Sequence, residues 1–293
     1  MTRQPTEHFL SRPPLLSVVI PTRNEKLNIA SCIASFSDAQ CEGWCEVIVV
    51  DNFSDDATAM IATDMQAHVF QTGPERSAQR NLGWRVARGA YILFVDADMI
   101  IPQATLDEIR MRLTGPTAPD ALYIREIRIG TGWWIRVRNF ERSFYDMTCI
   151  DGLRIIKRSL LETTGGYDEA LFSCEDWDLD RRVLALTDRV ALTSGHLLHN
   201  EQHLTLLRHL KKKRYYSGSF VAYIGKWGQD AITRKQFGLF YRFLFVFFEN
   251  GKWRAALRHP VFLLAIWAER FCIGLIFMLS RKSVNRTTPG VSI

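Results

Sequence analysis

Short, nearly continuous apolar runs alternate along the first third of the chain with segments in which apolar residues recur at helical spacing. Apolar runs of this length are typical of buried strands, and the segments between them of amphipathic helices. Strands are predicted at 15–20, 46–50, 68–71 and 91–95, and helices at 26–36, from Asp55 onward and at 75–88. Strands that are apolar on both faces and alternate with helices indicate a mostly parallel α/β sheet with helices on both sides.

The middle of the chain continues the alternation less regularly. The pattern predicts a strand at 121–129, a helix within 130–146, a strand and a short helix within 149–165, a helix at 174–186 and a short strand at 190–193. Asn24 precedes the first predicted helix and is a candidate N-cap.

Polar residues follow three of the predicted strands directly. They are the segment Pro21–Glu25, the pair Asp51–Asn52 and the pair Asp96 and Asp98. In sheets of this kind ligands bind beyond the carboxyl ends of the strands. A binding site is therefore predicted at that edge of the sheet.

The last third of the chain has a different composition. Residues 1–200 carry 21 Lys and Arg against 27 Asp and Glu, whereas residues 201–293 carry 16 against 4, a net charge of +12. The apolar segment 237–248 is too short to cross a bilayer, and 261–280 has Glu269 and Arg270 at its centre, which would be costly against lipid tails. A basic cluster beside apolar helices favours helices lying in or under a membrane interface; a subunit interface and a spanning helix are the alternatives.

Two groups of carboxylates are candidates for chemistry. Asp96 and Asp98 flank one small residue after a buried strand and could face one divalent cation, although a solvated turn is the alternative. Four further acids, any one of which could serve as a general base, open the helix predicted at 174–186; the alternative is that they only stabilise its N-terminus. These four are Glu175, Asp176, Asp178 and Asp180.

Basic and aromatic residues supply further candidates. Arg76 and Arg80 lie four apart on one predicted helix face, which suits contact with phosphates or ordinary surface exposure. His199 could complete a metal site, in competition with His196 and His203. Trp133 and Trp134 offer stacking surfaces for an acceptor or, equally, belong to a core.

Several classes of protein lose support. The apolar fraction of 47% excludes a disordered chain. The sequence has no complete G-x-G-x-x-G, no Walker loop and no G-x-S-x-G elbow, which argues against a dehydrogenase, a P-loop nucleotidase and a serine hydrolase. Six scattered cysteines and an N-terminus without an apolar signal core are typical of a cytoplasmic protein with reduced thiols. The basic C-terminal region by itself would indicate nucleic-acid binding, but the apolar segments next to it indicate binding to a membrane surface instead.

Five motifs occur in an order that resembles one family. They are VVIPTRNE (18–25), VIVVDNFSDDAT (47–58), RSAQRNLGWRVARGAYILFVDADM (76–99), GGYDE (165–169) and CEDWDL (174–179). Together they resemble an inverting family 2 glycosyltransferase of the GT-A fold, of a bacterial type with a membrane-associating C-terminal tail. The resemblance covers residues 15–205, which predicts an N-terminal arm at 1–14, a catalytic domain at 15–205 and a basic, apolar helical region at 206–293.

The resemblance also implies roles for individual residues. Asp176 matches the catalytic base, and the metal ligands for Mg²⁺ or Mn²⁺ are Asp98, Asp96 and, less directly, His199. The implied nucleotide-binding residues are Pro21, Thr22, Asn24, Glu25, Asp51, Arg80 and Asp96. Acceptor contacts are expected from Trp133, Trp134 and Glu175, and phosphate or lipid contacts from Lys213 and Arg214.

The expected function follows from these roles. A metal-dependent enzyme would move a sugar from a nucleoside-diphosphate donor, UDP-linked by preference, to a lipid-linked or cell-envelope glycan acceptor, with inversion. It would act at the cytoplasmic face of the membrane, without nucleic acid and with its oligomeric state left open. The alternatives are transfer to polyprenyl phosphate and a catalytically silent sugar-nucleotide-binding scaffold.

Overall fold

The structure is a computed structural model that describes residues 13–202 and 219–284, the stretch 276–284 as helix backbone. Most of the predicted N-terminal arm, His203 and the predicted lipid-binding residues Lys213 and Arg214 lie outside the described residues.

An eight-stranded mixed sheet runs through the chain in the order β3-β2-β1-β4-β7-β6-β8-β5. Strand β1 pairs in parallel with β2 and β4, and β2 with β3, whereas the pairs β4–β7, β6–β7 and β5–β8 are antiparallel. The strands are β1 Leu16–Thr22, β2 Cys45–Asp51, β3 His68–Gln71, β4 Tyr91–Phe94, β5 Met99–Ile100, β6 Ala121–Ile129, β7 Ile155–Lys157 and β8 Val190–Asn200.

Helices connect these strands and continue beyond the last of them. The helices up to β8 are α1 Ile29–Ala34, α2 Ser37–Cys41, α3 Thr58–Asp64, α4 Arg76–Val86, α5 Gln103–Thr114, α6 Trp133–Arg142, α7 Arg158–Thr164 and α8 Glu175–Leu184. After β8 come α9 at 219–227, α10 Ala231–Phe237, a π-helical turn Tyr241–Phe245, α11 Val246–Glu249, α12 Trp253–Arg258 and α13 Pro260–Val284.

The two faces of the sheet bury separate apolar clusters. Successive residues of β1 alternate between them, so that Val18 and Ile20 pack with Ile33 of α1 on one face, while Val19 packs with Trp84 of α4 on the other. This alternation follows from the two-residue period of a strand and requires helices on both sides. The predicted α/β sheet with helices on both faces is therefore confirmed, and its parallel pairs lie among β1 to β4.

Two local predictions are wrong. Asn24 does not cap the first helix: its backbone is left-handed (φ 56°), its side-chain oxygen accepts a hydrogen bond from Asp55 N (3.0 Å), and α1 begins only at Ile29. The strand predicted at 190–193 continues to Asn200, so His199 lies within β8, opposite Met99 of β5, instead of following a strand. The two-residue strand β5 carries no periodicity from which this extension could be predicted.

The chain divides into two compact units. The first contains the residues up to Ile127 together with Gly152–Glu169 and Glu175–Asn200, and the second contains Arg128–Asp151, Ala170–Cys174 and the residues from Glu201 on. A segment in the middle of the chain thus groups with the C-terminal helices. The division predicted at residue 205 stays a prediction.

The second unit buries a charged pair among aromatic side chains. The guanidinium of Arg270 on α13 donates to Glu141 Oε1 of α6 (2.7 Å) and to Tyr145 Oη (2.7 Å) and lies over the ring of Phe247. Burial opposes the charged form of Glu141, but Arg270 outweighs it and lowers the pKa of that carboxyl to about 2. The charges at the centre of 261–280 are therefore buried within this unit. Among the described residues, no helix combines the length and the hydropathy needed to cross a membrane.

Candidate active site

The carboxyl ends of the parallel strands bring the predicted segments to one edge of the first unit. Thr22, the last residue of β1, is in register with Asp51, the last of β2, and the amide of Val95 just after β4 donates to Val19 O of β1 (3.1 Å). Asp96 thus emerges beside the ends of β1 and β2.

Helix α4 is held tightly against these strand ends. The buried amide of Gln79 donates to the backbone oxygens of Thr22 (2.9 Å) and Val50 (2.6 Å), which joins the helix to β1 and β2. Gly83 allows the close approach, because a Cβ there would meet the side chain of Val19. This packing directs Arg76 and Arg80 toward the carboxyl edge.

The loops after β1 and β2 are fastened to each other. Asp51 is fully buried, and its carboxylate accepts hydrogen bonds from Ser54 N (2.9 Å) and from the amide of Gln71 (3.3 Å). In the loop after β1, the backbone amides of Asn24 and Glu25 donate to Ser54 Oγ (2.8 Å) and Thr58 Oγ1 (2.7 Å). The predicted nucleotide-binding residues Pro21, Thr22, Asn24, Glu25 and Asp51 therefore belong to one connected pair of strand ends and loops, and their contact with a nucleotide stays a prediction.

Arg80 lies at the centre of the site. Its side chain is 2% exposed, its Nη2 lies 3.1 Å from Asp96 Oδ1, and its Nη1 lies 2.8 Å from Asp176 Oδ1 and 3.4 Å from Glu175 Oε1. The ring of Tyr167 packs under the guanidinium at 5.1 Å. Arg80 thus joins the end of β4 to the start of α8. The predicted contact of Arg80 with the nucleotide is not tested by this arrangement.

The charges of this cluster stabilise one another. Burial disfavours the charged forms of both Arg80 and Asp96, yet the neighbouring carboxylates raise the pKa of Arg80 well above its usual value, and Arg80 and Arg76 hold the pKa of Asp96 well below its usual range. Arg76 lies 3.4 Å from Glu175 Oε1 and 3.9 Å from Asp96 Oδ2. Two arginines therefore neutralise part of the negative charge that the site gathers.

The four acids of α8 have different environments. Asp178 is buried and paired with Arg182 (2.6 Å), which also donates to the backbone oxygen of Gly166. Asp180 accepts hydrogen bonds from Tyr123 Oη (3.0 Å) and Leu153 N (3.0 Å). The carboxylates of Asp178 and Asp180 are therefore used in contacts that stabilise the fold.

The other two acids of α8 belong to the site. Glu175 is buried, and burial together with the charge of Asp176 raises the pKa of its carboxyl. The side chain of Asp176 is 38% exposed while one of its oxygens is held by Arg80. Asp176 is the acid of this group that a substrate hydroxyl can reach while an arginine fixes its orientation.

A second chain of polar contacts includes the other predicted metal ligand. His199 Nε2 lies 3.2 Å from Asp98 Oδ2, and its Nδ1 lies 2.9 Å from Glu126 Oε1 of β6, which in turn pairs with Arg154 (3.3 Å). Burial opposes the imidazolium, but the hydrogen bonds with Asp98 and Glu126 raise the pKa of His199 to about 9. Both ring nitrogens therefore donate in this arrangement.

The residues present fit a divalent cation in part. Asp98 Oδ1 is buried and has no hydrogen-bond partner among residues 13–202 and 219–275, as expected of an oxygen reserved for a ligand. Asp96, by contrast, is committed to the arginines. Within the described part of the chain, no group of three or more His, Cys, Asp or Glu side chains is arranged to hold a metal ion. Asp98 and His199 could therefore form only part of a metal site, which donor oxygens would have to complete, and their role as metal ligands stays a prediction.

Sequence reasoning missed Glu126, Arg154 and Gln79. Glu126 lies inside a strand, Arg154 directly before one, and Gln79 within a helix. Each belongs to the site only through its contacts with residues that are distant in sequence. A charged residue near the middle of the strand ALYIREIRI (121–129) was the available signal for Glu126.

The predicted acceptor residues Trp133 and Trp134 lie in the second unit. Trp133 is 43% exposed and packs edge-on against the ring of Phe262 (6.0 Å), while Trp134 buries an indole N–H that has no hydrogen-bond partner among the described residues. They are therefore not core residues of the first unit, and acceptor binding stays a prediction.

Comparison with known proteins decides the family. The sequence model of Glycosyl transferase family 2 matches residues 17–165, just over half of the chain. The chain belongs to this family. The match covers β1 to α7 and includes both the Asp96–Asp98 pair and Arg80, so the glycosyltransferase prediction is confirmed at the level of the family.

Two curated relatives show how far this likeness extends. The chain is 25% identical over 181 residues to the "PGL/p-HBAD biosynthesis glycosyltransferase" of Mycobacterium bovis (strain BCG / Pasteur 1173P2), covering 59% of this chain and 70% of that protein. It is 34% identical over 90 residues to the "Uncharacterized glycosyltransferase YfnE" of Bacillus subtilis (strain 168), covering 29% of this chain and only 23% of the relative. The chain thus spans less than a quarter of that second relative.

A solved structure supports the fold. Glucosyl-3-phosphoglycerate synthase from Mycobacterium tuberculosis, in complex with Mn²⁺, UDP and phosphoglyceric acid, superimposes with a TM-score of 0.55 at 19% identity, covering 74% of this chain and 80% of the other. At this level of identity the likeness concerns the fold.

Proposed function

We propose that this family 2 glycosyltransferase moves a sugar, with inversion, from a nucleoside-diphosphate donor to an acceptor hydroxyl. The observation that carries the proposal is the position of Arg80, which binds Asp96 and Asp176 at once. It holds a donor-side carboxylate and a reachable acid in one rigid arrangement at the carboxyl edge of the sheet, the place where α/β sheets bind their ligands.

Asp176 is the proposed general base. The acceptor oxygen forms a bond to the anomeric carbon as the bond from that carbon to the diphosphate oxygen breaks, and the hydroxyl proton passes to the carboxylate of Asp176. Attack opposite the leaving group inverts the anomeric configuration in a single displacement. The ion pair with Arg80 keeps one oxygen of Asp176 fixed and leaves the exposed part of the side chain to the acceptor.

Asp98 and His199 are the proposed ligands of a Mg²⁺ or Mn²⁺ ion, together with diphosphate oxygens of the donor. When bound, the ion would neutralise charge that develops on the leaving diphosphate. His199 would give up the proton that it donates to Asp98 here, and Glu126 would keep its ring in place. Asp96, held by Arg80 and Arg76, would face the donor ribose or reach the ion when the donor displaces an arginine.

The nucleotide is proposed to lie along the connected loops after β1 and β2, with Asp51 at the base. UDP is the preferred carrier, and the structural neighbour that binds UDP with Mn²⁺ supports this choice. GDP and dTDP are the alternatives.

The proposed acceptor is a lipid-linked or cell-envelope glycan, handled at the cytoplasmic face of the membrane. The name of the mycobacterial relatives, which places them in PGL/p-HBAD biosynthesis, supports an acceptor of the cell envelope. The exposed ring of Trp133 would supply a stacking surface for a sugar, with Trp134 as the second proposed acceptor residue beside it. Polyprenyl phosphate as direct acceptor remains the second candidate, since both acceptors lie at the membrane.

Calorimetric titration with UDP, GDP and dTDP, with and without Mn²⁺, tests the proposal. We expect one nucleotide to bind in a metal-dependent manner, and this binding to be lost in the Asp98→Ala variant. Asp188→Asn, which changes an exposed acid after α8, is the control and should bind as the wild type does. Metal-independent binding would remove the metal from the proposal, and binding of none of the nucleotides would contradict the donor class.

A further inference from the structure

Helix α13 has an exposed apolar stripe on one face. Val261, Leu264, Ala268, Phe271 and Leu275 are all exposed, Leu264 and Phe271 at 61% and 62%. Their spacing of three, four, three and four residues places them within an arc of about 100° along roughly 21 Å of helix. We call these residues the outer stripe. An aligned row of large apolar side chains in water marks a binding surface, unlike single exposed apolar residues.

The opposite face of α13 is already occupied. Leu263 and Ile266 are buried, and Arg270 on the same side pairs with Glu141 of α6. The only charged residues between Pro260 and Leu275 are Glu269 and Arg270, and both are buried within the second unit. The outer stripe is therefore free of charge, and burying it elsewhere would not require breaking the pair that fixes α13.

Exposed positive charge lies directly before the outer stripe along the chain. Helix α12, directly before α13, exposes Arg254 and Arg258, and Arg254 lies over the ring of Trp253, itself 39% exposed. The whole region 201–293 carries a net charge of +12. Tryptophan beside arginine is typical of the boundary between lipid and water.

The positive charge of this region indicates which partner binds the outer stripe. A second copy of the chain would bring the same positive surface against itself, whereas an anionic bilayer offers both hydrocarbon for the outer stripe and negative headgroups for the arginines. We propose that the outer stripe of α13, with Arg254 and Arg258, docks on an anionic phospholipid bilayer, with α13 lying along the surface. The membrane location rests on the proposed function, but the binding test below uses neither nucleotide nor sugar, so the two can fail separately.

The native cysteines provide a site-specific test on the full chain. Cys272 follows Phe271 on the exposed side of α13, and Cys41 is exposed at the end of α2 in the first unit. An environment-sensitive fluorophore on Cys272 of the Cys41→Ser variant should shift to the blue on vesicles of phosphatidylglycerol and phosphatidylcholine, and should not respond to phosphatidylcholine alone. The same label on Cys41 of the Cys272→Ser variant is the control and should remain in water. No shift at Cys272, or equal shifts at both positions, overturns the proposal.

Vesicle cosedimentation measures the contribution of the outer stripe. The double variant Leu264→Glu/Phe271→Glu should bind anionic vesicles at least tenfold more weakly than the wild type, and Arg254→Glu/Arg258→Glu should lose most of the preference for anionic lipid. Met111→Glu, at a similarly exposed position (66%) on α5 of the first unit, should bind as the wild type does. Light scattering without lipid excludes the other occupant: a wild-type dimer that the stripe variant converts to a monomer, with vesicle binding unchanged, overturns the proposal in favour of a second copy.

Discussion

Both units bury an arginine against carboxylates, but the two clusters differ in what they leave exposed. In the second unit Arg270 and Glu141 satisfy each other and Tyr145, and the exposed face of α13 opposite them is apolar. In the first unit Arg80 is surrounded by more carboxylates than it can neutralise, and one of them, Asp176, still reaches solvent. A balanced buried pair fixes a helix, whereas an unbalanced cluster at the edge of a sheet retains charge for a ligand.

The strongest test of this contrast replaces the exposed acid of the unbalanced cluster. Asp176→Asn should lower kcat by about 10²–10⁴-fold, because the amide keeps the shape of the side chain and cannot take the proton. Nucleotide binding, measured by calorimetry, should stay within a factor of a few. Asp188→Asn serves again as the control. A variant that retains full turnover would move the base to another residue, with buried Glu175 as the next candidate.

Removing the arginine of the cluster should cost stability as well as activity. Arg80→Leu leaves Asp96, Glu175 and Asp176 buried or half-buried beside one another, and loss of one partner of a buried pair typically costs about 3–5 kcal/mol. Urea unfolding followed by circular dichroism measures the change. Arg110→Leu breaks the exposed pair with Glu42 and should cost less than about 1 kcal/mol. Equal losses in both variants would mean that Arg80 does not hold the site together.

The balanced pair of the second unit should have a characteristic dependence on pH. The pKa of Glu141 is lowered from 4.5 to about 2 in the folded protein, so its contribution to stability is fully present above about pH 4.5 and is lost as the pH falls toward 2. Glu141→Gln should therefore be less stable than the wild type near pH 6, by on the order of 2 kcal/mol, and the difference should narrow between pH 5 and pH 3. Urea midpoints for the two proteins at each pH provide the measurement. A difference that is constant across this range would show that the charge of Glu141 contributes nothing.

A smaller effect is expected at the residue that orients His199. Glu126→Gln removes the charge that holds the ring and should weaken Mn²⁺ binding in the presence of the bound nucleotide by about 10–100-fold. Electron paramagnetic resonance of free Mn²⁺ measures this without turnover. Glu162→Gln on α7, an exposed acid paired with Arg158, should leave the affinity unchanged. Unchanged affinity in Glu126→Gln would separate His199 from the metal.

The sequence alone determined the central part of the fold. Its nearly continuous apolar runs correspond to β1, β2 and β4, because strands covered on both faces are built mainly of apolar residues, whereas β3 is mostly exposed and has a weaker pattern. It also placed Asp51 at the end of one strand and Asp96 just after another, and the parallel strands of one sheet end at the same edge. Helix α5 and the short strand β5 were not predicted, since a two-residue strand has no period and Met111 places an apolar residue on the exposed face of α5.

Only the tertiary structure decided what each charged side chain does. The four acids of α8 look alike in sequence. In the structure Asp178 pairs with Arg182, Asp180 accepts a hydrogen bond from Tyr123, and Glu175 is buried. Of the four, only Asp176 both pairs with an arginine and remains accessible to solvent. In the same way Glu126 acquires a place beside His199 only because β6 and β8 lie next to each other in the sheet. The apolar pattern is a local property of the chain, whereas the charge state and the exposure of Asp176 depend on Arg80, which lies 96 residues away and meets it only in the folded protein.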